Sequence, residues 1–401
     1  MAFYNKEHIG QEIVSVALLV LFTIACLCAN IGNTVSHGNI CLFFVGGLAL
    51  INAVIYFMGK DVKIVPFITL AVLVLIMGTA YSIDESNPDL DGYLRGYTYL
   101  QDYGISHLND VNADTNGGAD LGFLILMYLF IILGFSYNGF VTTLAIASAI
   151  LIVSGIKRIR GNYSFILPCY MLMSFTYDVF QIRFFFAYSI VVYGIHFLIK
   201  PHKEPLKYFF SVLIAMAFHF SSVFFLILLV TPKFLSRNYK IIVACFIALF
   251  AMAYLNIGSL MTIVASMLPA ERLMKYASQG IDISIFTSAF VSIIVLTMIM
   301  IAGYIHKVSQ NTTTETLLRL NILCSIVIPI VPISLDFERF LRPVLMTDYA
   351  VLSSPIIRKK GRRYAYCFLV IVLSSLRVSV MVGGFTRDIV TNNYFMDFLF
   401  A

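Results

Sequence analysis

The segment YFFSVLIAMAFHFSSVFFLILLVT, residues 208–231, decides how this chain threads a membrane. At 24 residues it is apolar and long enough to be a single crossing helix. Its flanks argue otherwise. Lys200, Lys203 and Lys207 precede it, and Lys233, Arg237 and Lys240 follow it. Short loops rich in Lys and Arg stay on the cytoplasmic side of a bilayer. One crossing would put one cluster outside and invert every later loop, including RKKGRR at 358–363. A re-entrant hairpin or a pair of short helices, turning at His219-Phe220-Ser221-Ser222, keeps both flanks inside.

The same rule orders the rest of the chain. Basic clusters stand at Lys60/Lys63 and at KRIR (157–160), whereas residues 82–120 hold eight carboxylates against the single Arg95. With the N-terminus inside, helices near 12–31, 38–58 and 63–81 deliver that acidic loop to the outside. The apolar stretch 121–156 then reads as a short helix at the outer surface (121–135) followed by one crossing (139–156). Helices 163–178 and 184–199 go out and back, with DVFQIR at their outer turn. Crossings near 241–258, 284–304, 317–334, 341–356 and 364–381 leave the C-terminus outside.

Composition supports a membrane protein throughout. Of 401 residues, 60% are hydrophobic and 12% charged, with a mean hydropathy of +0.90. Apolar runs fill almost the whole length, so no soluble module carries function separately. The expected fold is all-α: one polytopic integral membrane domain over 1–401, with about eleven transmembrane helices, the hairpin near 208–231, and a large outer loop at 82–120 containing short helices. The first apolar run lacks a small-residue cleavage site and reads as a retained helix, not a signal peptide. The seven cysteines form no CxxC pair and read as small core hydrophobes. There is no HExxH, GxGxxG or Walker A motif, which makes ATP-driven transport a poor reading. No metal, cofactor or nucleic acid is implied. In DVNADTNGGAD (110–120) the start of a calcium loop is visible, but Leu121 stands where the bidentate Glu belongs.

The informative charges are those left on the outer side. Asp178 and Arg183 flank the DVFQIR turn. Arg339 and Arg342, in LDFERFLRP, are three apart and share one face of a helical turn, with Glu338 placed to pair with Arg342. Arginine's planar fork suits phosphate and pyrophosphate oxygens. His219 lies at the hairpin tip, where a general-base or substrate-binding role competes with that of a hydrogen-bonded core residue. Asp89, Tyr93 and Tyr97 recur every fourth residue and line one helical face, a pattern suited to sugars, whose rings stack on aromatics while their hydroxyls bond carboxylates. Asp348 and Arg377, deeper in the last crossings, read as an ion pair joining two helices.

Taken in order, several short motifs resemble the Wzy/EpsG-type family of bacterial polysaccharide polymerases, from about residue 75 to the C-terminus. They are DxxxYxxxY (Asp89, Tyr93, Tyr97), GF (Gly122, Phe123), QIRxxxA (Gln181, Ile182, Arg183, Ala187), FHxS (Phe218, His219, Ser221) and the late arginine segment holding Arg339. The resemblance implies a multi-pass glycosyltransferase of the bacterial cytoplasmic (inner) membrane. Such a protein joins polyprenyl-pyrophosphate-linked oligosaccharide repeat units on the outer side, in O-antigen, capsule or exopolysaccharide synthesis. Its implied partners are that lipid-linked substrate, membrane lipid, a chain-length regulator and a flippase. Under this reading Arg183 and Arg339, with Arg342 as a third, neutralise the departing pyrophosphate. His219 or Asp89 accepts the acceptor hydroxyl's proton. Tyr93 and Tyr97 hold sugars, Gln181 belongs to the arginine motif, and Asp178 orients Arg183. A lipid-linked oligosaccharide flippase and a glycan ligase remain the alternatives. A flippase asks for cations lining a cavity open to both sides and often for an internal repeat, which this sequence lacks.

Overall fold

The computed structural model describes residues 37–59, 62–80, 88–107, 120–199, 204–255, 285–309, 311–331, 335–354, 360–377 and 393–400, with a few positions between 14 and 21. Among these, every regular element is helical. The chain runs through α1 (His37–Phe57), α2 (Ile64–Thr79), α3 (Pro88–Tyr103), α4 (Leu121–Ile132), α5 (Tyr137–Ile159), α6 (Tyr163–Met173), α7 (Phe175–Phe180), α8 (Ile182–Ile199) and α9 (Pro205–Phe218). After a 3-10 helix, Phe220–Leu229, come α10 (Lys233–Arg237), α11 (Tyr239–Leu255), α12 (Ile285–Ser309) and α13 (Thr312–Cys324). Two further 3-10 helices, Ser325–Ile330 and Leu335–Leu341, lead to α14 (Arg342–Ser353), α15 (Lys360–Arg377) and α16 (Tyr394–Phe400).

Four helical stretches are long and apolar enough to cross a membrane by length and composition: Tyr137–Ile159, Ile182–Ile199, Val291–Val308 and Thr312–Ile330. The crossings expected at 38–58, 63–81, 163–178, 241–258, 341–356 and 364–381 fall on helices whose apolar parts are shorter. The one expected at 12–31 lies mostly outside the described residues. The stretch 121–156 divides as its charge pattern requires. Its first part is the twelve-residue α4, and α5 alone is long enough to cross.

Local signals explain the boundaries. Ser136 caps α5 by accepting a bond from Gly139 N at 3.2 Å, and Lys157 and Arg158 complement the dipole of its last turn. Arg160 ends the helix in the left-handed region (φ 59°). Gly161 follows, where a Cβ would lie 2.8 Å from the Ala350 Cα; only glycine lets this turn sit on α14. Asn162 N then donates to Ser353 Oγ at 2.9 Å, while the Asn162 side chain caps α6. The centre of the bundle is α8 and α14: fourteen of the eighteen residues of α8 and all twelve of α14 are buried. α8 is apolar almost all round, which is why no amphipathic stripe marks it, whereas α14 also buries Arg342 and Asp348.

The segment 205–231 is a pair of short helices that turns at His219 (φ −152°, ψ 106°) and folds back on itself. Tyr208 OH, near the start of α9, donates to Phe225 O on the returning limb at 2.9 Å. The limb's exit is tied to α13, where Arg319 donates to Thr231 O at 3.2 Å and pairs with Glu315, and Ser236 donates to Glu315 at 2.9 Å. Loops with like composition therefore gather. One end of the bundle brings together Tyr56, Arg158, Asn162, Tyr193, Ser353 and Cys367 through the contacts Tyr56–Cys367, Asn162–Ser353 and Arg158–Tyr193. The opposite end collects α3, α4, the α7–α8 turn, His219 and residues 338–342. The C-terminal segment joins that second end, with Asn393 donating to Ile76 O at 2.8 Å.

Two expectations change here. Asp348 is buried on α14 and accepts a bond from Asn321 of α13, an amide in place of the expected arginine; the Arg377 side chain lies outside the described residues. Of the described cysteines, Cys41, Cys169, Cys324 and Cys367 are buried as expected, and Cys245 is exposed. Most of the calcium-like stretch at 110–120 also lies outside the described residues.

Candidate functional site

The site is built on a helix break. α6 stops at Ser174, α7 lasts six residues, and Gln181 (φ −102°, ψ 46°) turns the chain into α8. Asp178 therefore stands before the turn and Arg183 just after it. The Gln181 side chain leaves its Oε1 buried with no hydrogen-bond donor among the described residues.

Asp178 does not orient Arg183, as the sequence suggested. Its fully buried carboxylate accepts a bond from Arg342 Nη1 at 2.9 Å on Oδ1 and another from Tyr188 OH on Oδ2. Arg183 belongs to a different neighbourhood. Its Nη1 is 3.8 Å from Asp120 Oδ2, and its guanidinium lies over the Tyr93 ring, 5.8 Å from the centroid. The reason is directional: the turn at Gln181 points residues 178 and 183 to different sides, so nearness in sequence does not become contact.

Arg339 and Arg342 do converge, as their spacing implied, on the ring of Phe184 at 5.5 and 5.8 Å. Their surroundings differ. Arg342 is 2% exposed and balanced by Asp178, with buried Glu338 close enough to act on its charge. These three groups are enclosed: Arg342, read from the sequence as a third pyrophosphate ligand and as the partner of Glu338, is held by Asp178. Arg339 is half-buried between the faces of Phe184 and Phe340, each 5.5 Å away, and has no carboxylate or hydrogen-bond partner among the described residues. A guanidinium stays charged under all ordinary conditions, and aromatic faces compensate it only in part.

His219 meets the same ring from the hairpin tip, edge to face with Phe184 at 5.1 Å. Its Nδ1 shares a 2.7 Å hydrogen bond with Ser221, which gives the FHxS spacing a reason: the serine fixes the imidazole. Phe218 packs on Phe186 at 4.8 Å and holds the tip against α8.

The acidic-loop helix closes the site from above. Tyr93 of α3 packs on Phe123 at 5.6 Å and carries Arg183 on its face. Its hydroxyl is pushed up to about 12, chiefly by burial, with Arg183 and Arg339 drawing it down and Asp89 raising it. Asp89 occupies the first turn of α3, a favourable place for a carboxylate. Tyr97 is committed to packing. It is 2% exposed, donates to Phe135 O at 2.7 Å, and has Tyr137 and Phe140 against its ring. The GF pair is a packing device. A Cβ on Gly122 would fall 2.4 Å from Ala217 O, so glycine is what lets α4 touch α9, and the fully buried Phe123 bridges Tyr93 and Phe140.

Arg183, Arg339, His219, Tyr93 and Asp89 thus assemble at the end of the bundle opposite the basic clusters. Phe184, Asp120 and Tyr188 were not anticipated. Each had a faint signal: Phe184 follows Arg183 directly, Asp120 precedes the GF pair, and Tyr188 follows Ala187 of the arginine motif.

An all-helical bundle with long apolar helices and charged residues collected at its ends is an integral membrane protein of the polytopic class. More particularly, the model of the EpsG family matches residues 65–395, and the chain belongs to that family, membrane proteins of exopolysaccharide biosynthesis. No curated protein matches the chain, and no solved structure does.

Proposed function

We propose that this protein is a polysaccharide polymerase that joins polyprenyl-pyrophosphate-linked oligosaccharide repeat units on the outer side of the bacterial cytoplasmic membrane. The observation that carries this reading is Arg339, a half-buried cation on the faces of Phe184 and Phe340, without an anion among the described residues, with Phe184 the residue next to Arg183 in the chain. A pyrophosphate is the anion such a pair suits. In the reaction, the acceptor hydroxyl oxygen bonds to the donor's anomeric carbon while the bond from that carbon to the pyrophosphate breaks. The leaving group keeps the electron pair and is stabilised by Arg183 and Arg339. The hydroxyl proton passes to His219, whose Nδ1 shares a hydrogen bond with Ser221; in the tautomer that carries the proton on Nδ1, Nε2 is the basic nitrogen. Asp89 and Tyr93 border the space where sugars are held. A flippase and a chain-length regulator would be the protein partners.

The test uses a strain lacking this gene, complemented with Arg183→Ala, Arg339→Ala or His219→Ala, with the surface glycan displayed by size. Loss of polymerisation leaves single repeat units. Loss of a ligase or flippase removes surface glycan altogether. Full-length chains from all three variants reject the proposed site.

A further inference from the structure

The returning limb of the hairpin is the 3-10 helix Phe220–Leu229. Such a helix has three residues to each turn, so side chains three apart stand directly over one another. Its burial follows that period. Ser222, Phe225 and Leu228 are wholly buried against the bundle. Phe220 and Val223, 64% and 37% exposed, open the outward row, and Leu226 and Leu229 continue it. The third row is Ser221, Phe224 and Ile227, all half-buried, with Val230 just past the helix end and 63% exposed. On an α-helix a row of this spacing would run obliquely across the axis; here it is straight.

That third row starts at the candidate site. Ser221 is bonded to His219 Nδ1 at 2.7 Å. Phe224 packs on Phe340 at 4.6 Å, and Phe340 carries the Arg339 guanidinium at 5.5 Å. Below Phe224 the row is aliphatic, and no Lys, Arg, Asp or Glu occurs between Phe220 and Thr231. A cation thus stands at one end of a straight strip of hydrocarbon side chains.

We infer that the row Phe224–Ile227–Val230 is the track along which the prenyl chain of the lipid-linked substrate lies, with its pyrophosphate at Arg339. The inference rests on the polymerase reading for the identity of that pyrophosphate. The prenyl chain is esterified to the pyrophosphate, so it leaves the site from beside Arg339. Two rings border that guanidinium. Phe184 is 1% exposed and leads into the bundle, whereas Phe340 leads to the half-buried Phe224 and so to the more open end of the row. A chain laid there covers apolar side chains that the fold itself leaves partly uncovered. The acyl chain of an ordinary phospholipid could meet the same row, but its phosphate diester brings less charge to Arg339 than a pyrophosphate does.

The test measures the affinity of the purified full chain, in detergent, for undecaprenyl pyrophosphate and for geranyl pyrophosphate, carriers without sugar. The short geranyl chain ends near Phe224 and serves as the reference for the headgroup. Ile227→Asn weakens undecaprenyl pyrophosphate about tenfold, the weight of covering one apolar side chain, and leaves geranyl pyrophosphate unchanged. Val230→Asn, at an exposed position, acts in the same sense and decides the matter if Ile227→Asn does not fold. Val223→Asn, on the outward row, changes neither affinity, and Arg339→Ala weakens both carriers alike. Equal loss of the two carriers at positions 227 and 230, loss of neither, or an equal loss from Val223→Asn overturns the assignment. So does phosphatidylglycerol bound as tightly as undecaprenyl pyrophosphate and weakened as much by Ile227→Asn, the mark of an ordinary lipid site. Failure of the polymerase reading shows separately, as full-length glycan from the Arg183, Arg339 and His219 variants, and leaves the comparison of carrier lengths readable because no sugar is transferred in it.

Discussion

Arg342 Nη1 and Asp178 Oδ1 lie 2.9 Å apart, both buried, and join segments separated by 164 residues. Each stands close in sequence to an arginine with a different role, since Asp178 is five before Arg183 and Arg342 is three after Arg339. The pair fixes the helix break that carries Arg183 against the 3-10 helix that carries Arg339. Removing one partner leaves an uncompensated buried charge and costs roughly 3–5 kcal/mol. Arg342→Met should therefore lower the unfolding temperature in detergent sharply. The double variant Asp178→Leu/Arg342→Met should regain much of that loss yet stay inactive, because the arginine-bearing segments are no longer registered. Full chain length from the double variant would count against a positioning role.

Arg339 should behave in the opposite way. Nothing among the described residues neutralises it, so Arg339→Ala leaves the unfolding temperature within about 1 °C, as a change of a few tenths of a kcal/mol does. On the proposed function, polymerisation of lipid-linked repeat units falls by about 100-fold, the scale of losing one preorganised donor at developing charge. Arg339→Lys, keeping the charge without the fork, recovers less than a tenth of it. Thermal unfolding and gel display of the glycan measured on the same preparations separate the two effects.

The two tyrosines of DxxxYxxxY should part company. Tyr97→Phe loses the 2.7 Å bond to Phe135 O, costs about 1 kcal/mol of stability, and leaves chain length unchanged. Tyr93→Ala removes the face under Arg183 and shortens the glycan. Equal shortening by both substitutions would show that Tyr97 meets sugar after all.

Gly122→Ala tests the contact between α4 and the hairpin. The added methyl meets Ala217 O at 2.4 Å, so backbone must move. Overpacking of this kind costs about 1–3 kcal/mol. The expected readout is a lower unfolding temperature with reduced activity, whereas Gly134→Ala, where no atom lies within 4 Å of the new Cβ but φ is +77°, suffers only strain in the backbone.

Side assignment can be read by labelling single cysteines in a cysteine-free background. Arg95→Cys reacts with a membrane-impermeant maleimide added to intact cells; Arg160→Cys and Arg237→Cys do not. Reaction at position 237 would mean that residues 208–231 cross the bilayer once.

Charge asymmetry made the hairpin and the division of 121–156 legible, because the cost of moving Lys and Arg across a membrane is written in composition. The arginine turn was legible for the same reason. Partnerships were not. Asp178 finds Arg342, and Asp348 finds Asn321, by packing between helices distant in the chain, and no local spacing encodes that. Nor could a four-residue repeat show that Tyr93 faces the arginines while Tyr97 sinks into the helix bundle. That difference arises from the turn at residues 133–137, whose carbonyl at Phe135 takes the Tyr97 hydroxyl.

The returning limb of the hairpin, Phe220–Leu229, is a 3-10 helix of ten residues, where such runs seldom exceed three or four. Its tighter winding has a use in height. Ten residues rising about 2.0 Å each stand about 20 Å tall, and the fourteen residues of α9, rising about 1.5 Å each, stand about 21 Å. Two limbs of unequal residue number are thereby made equal in reach. The chain rises to His219 and descends to Thr231 without a surplus loop, and the imidazole is held at the full height of both limbs.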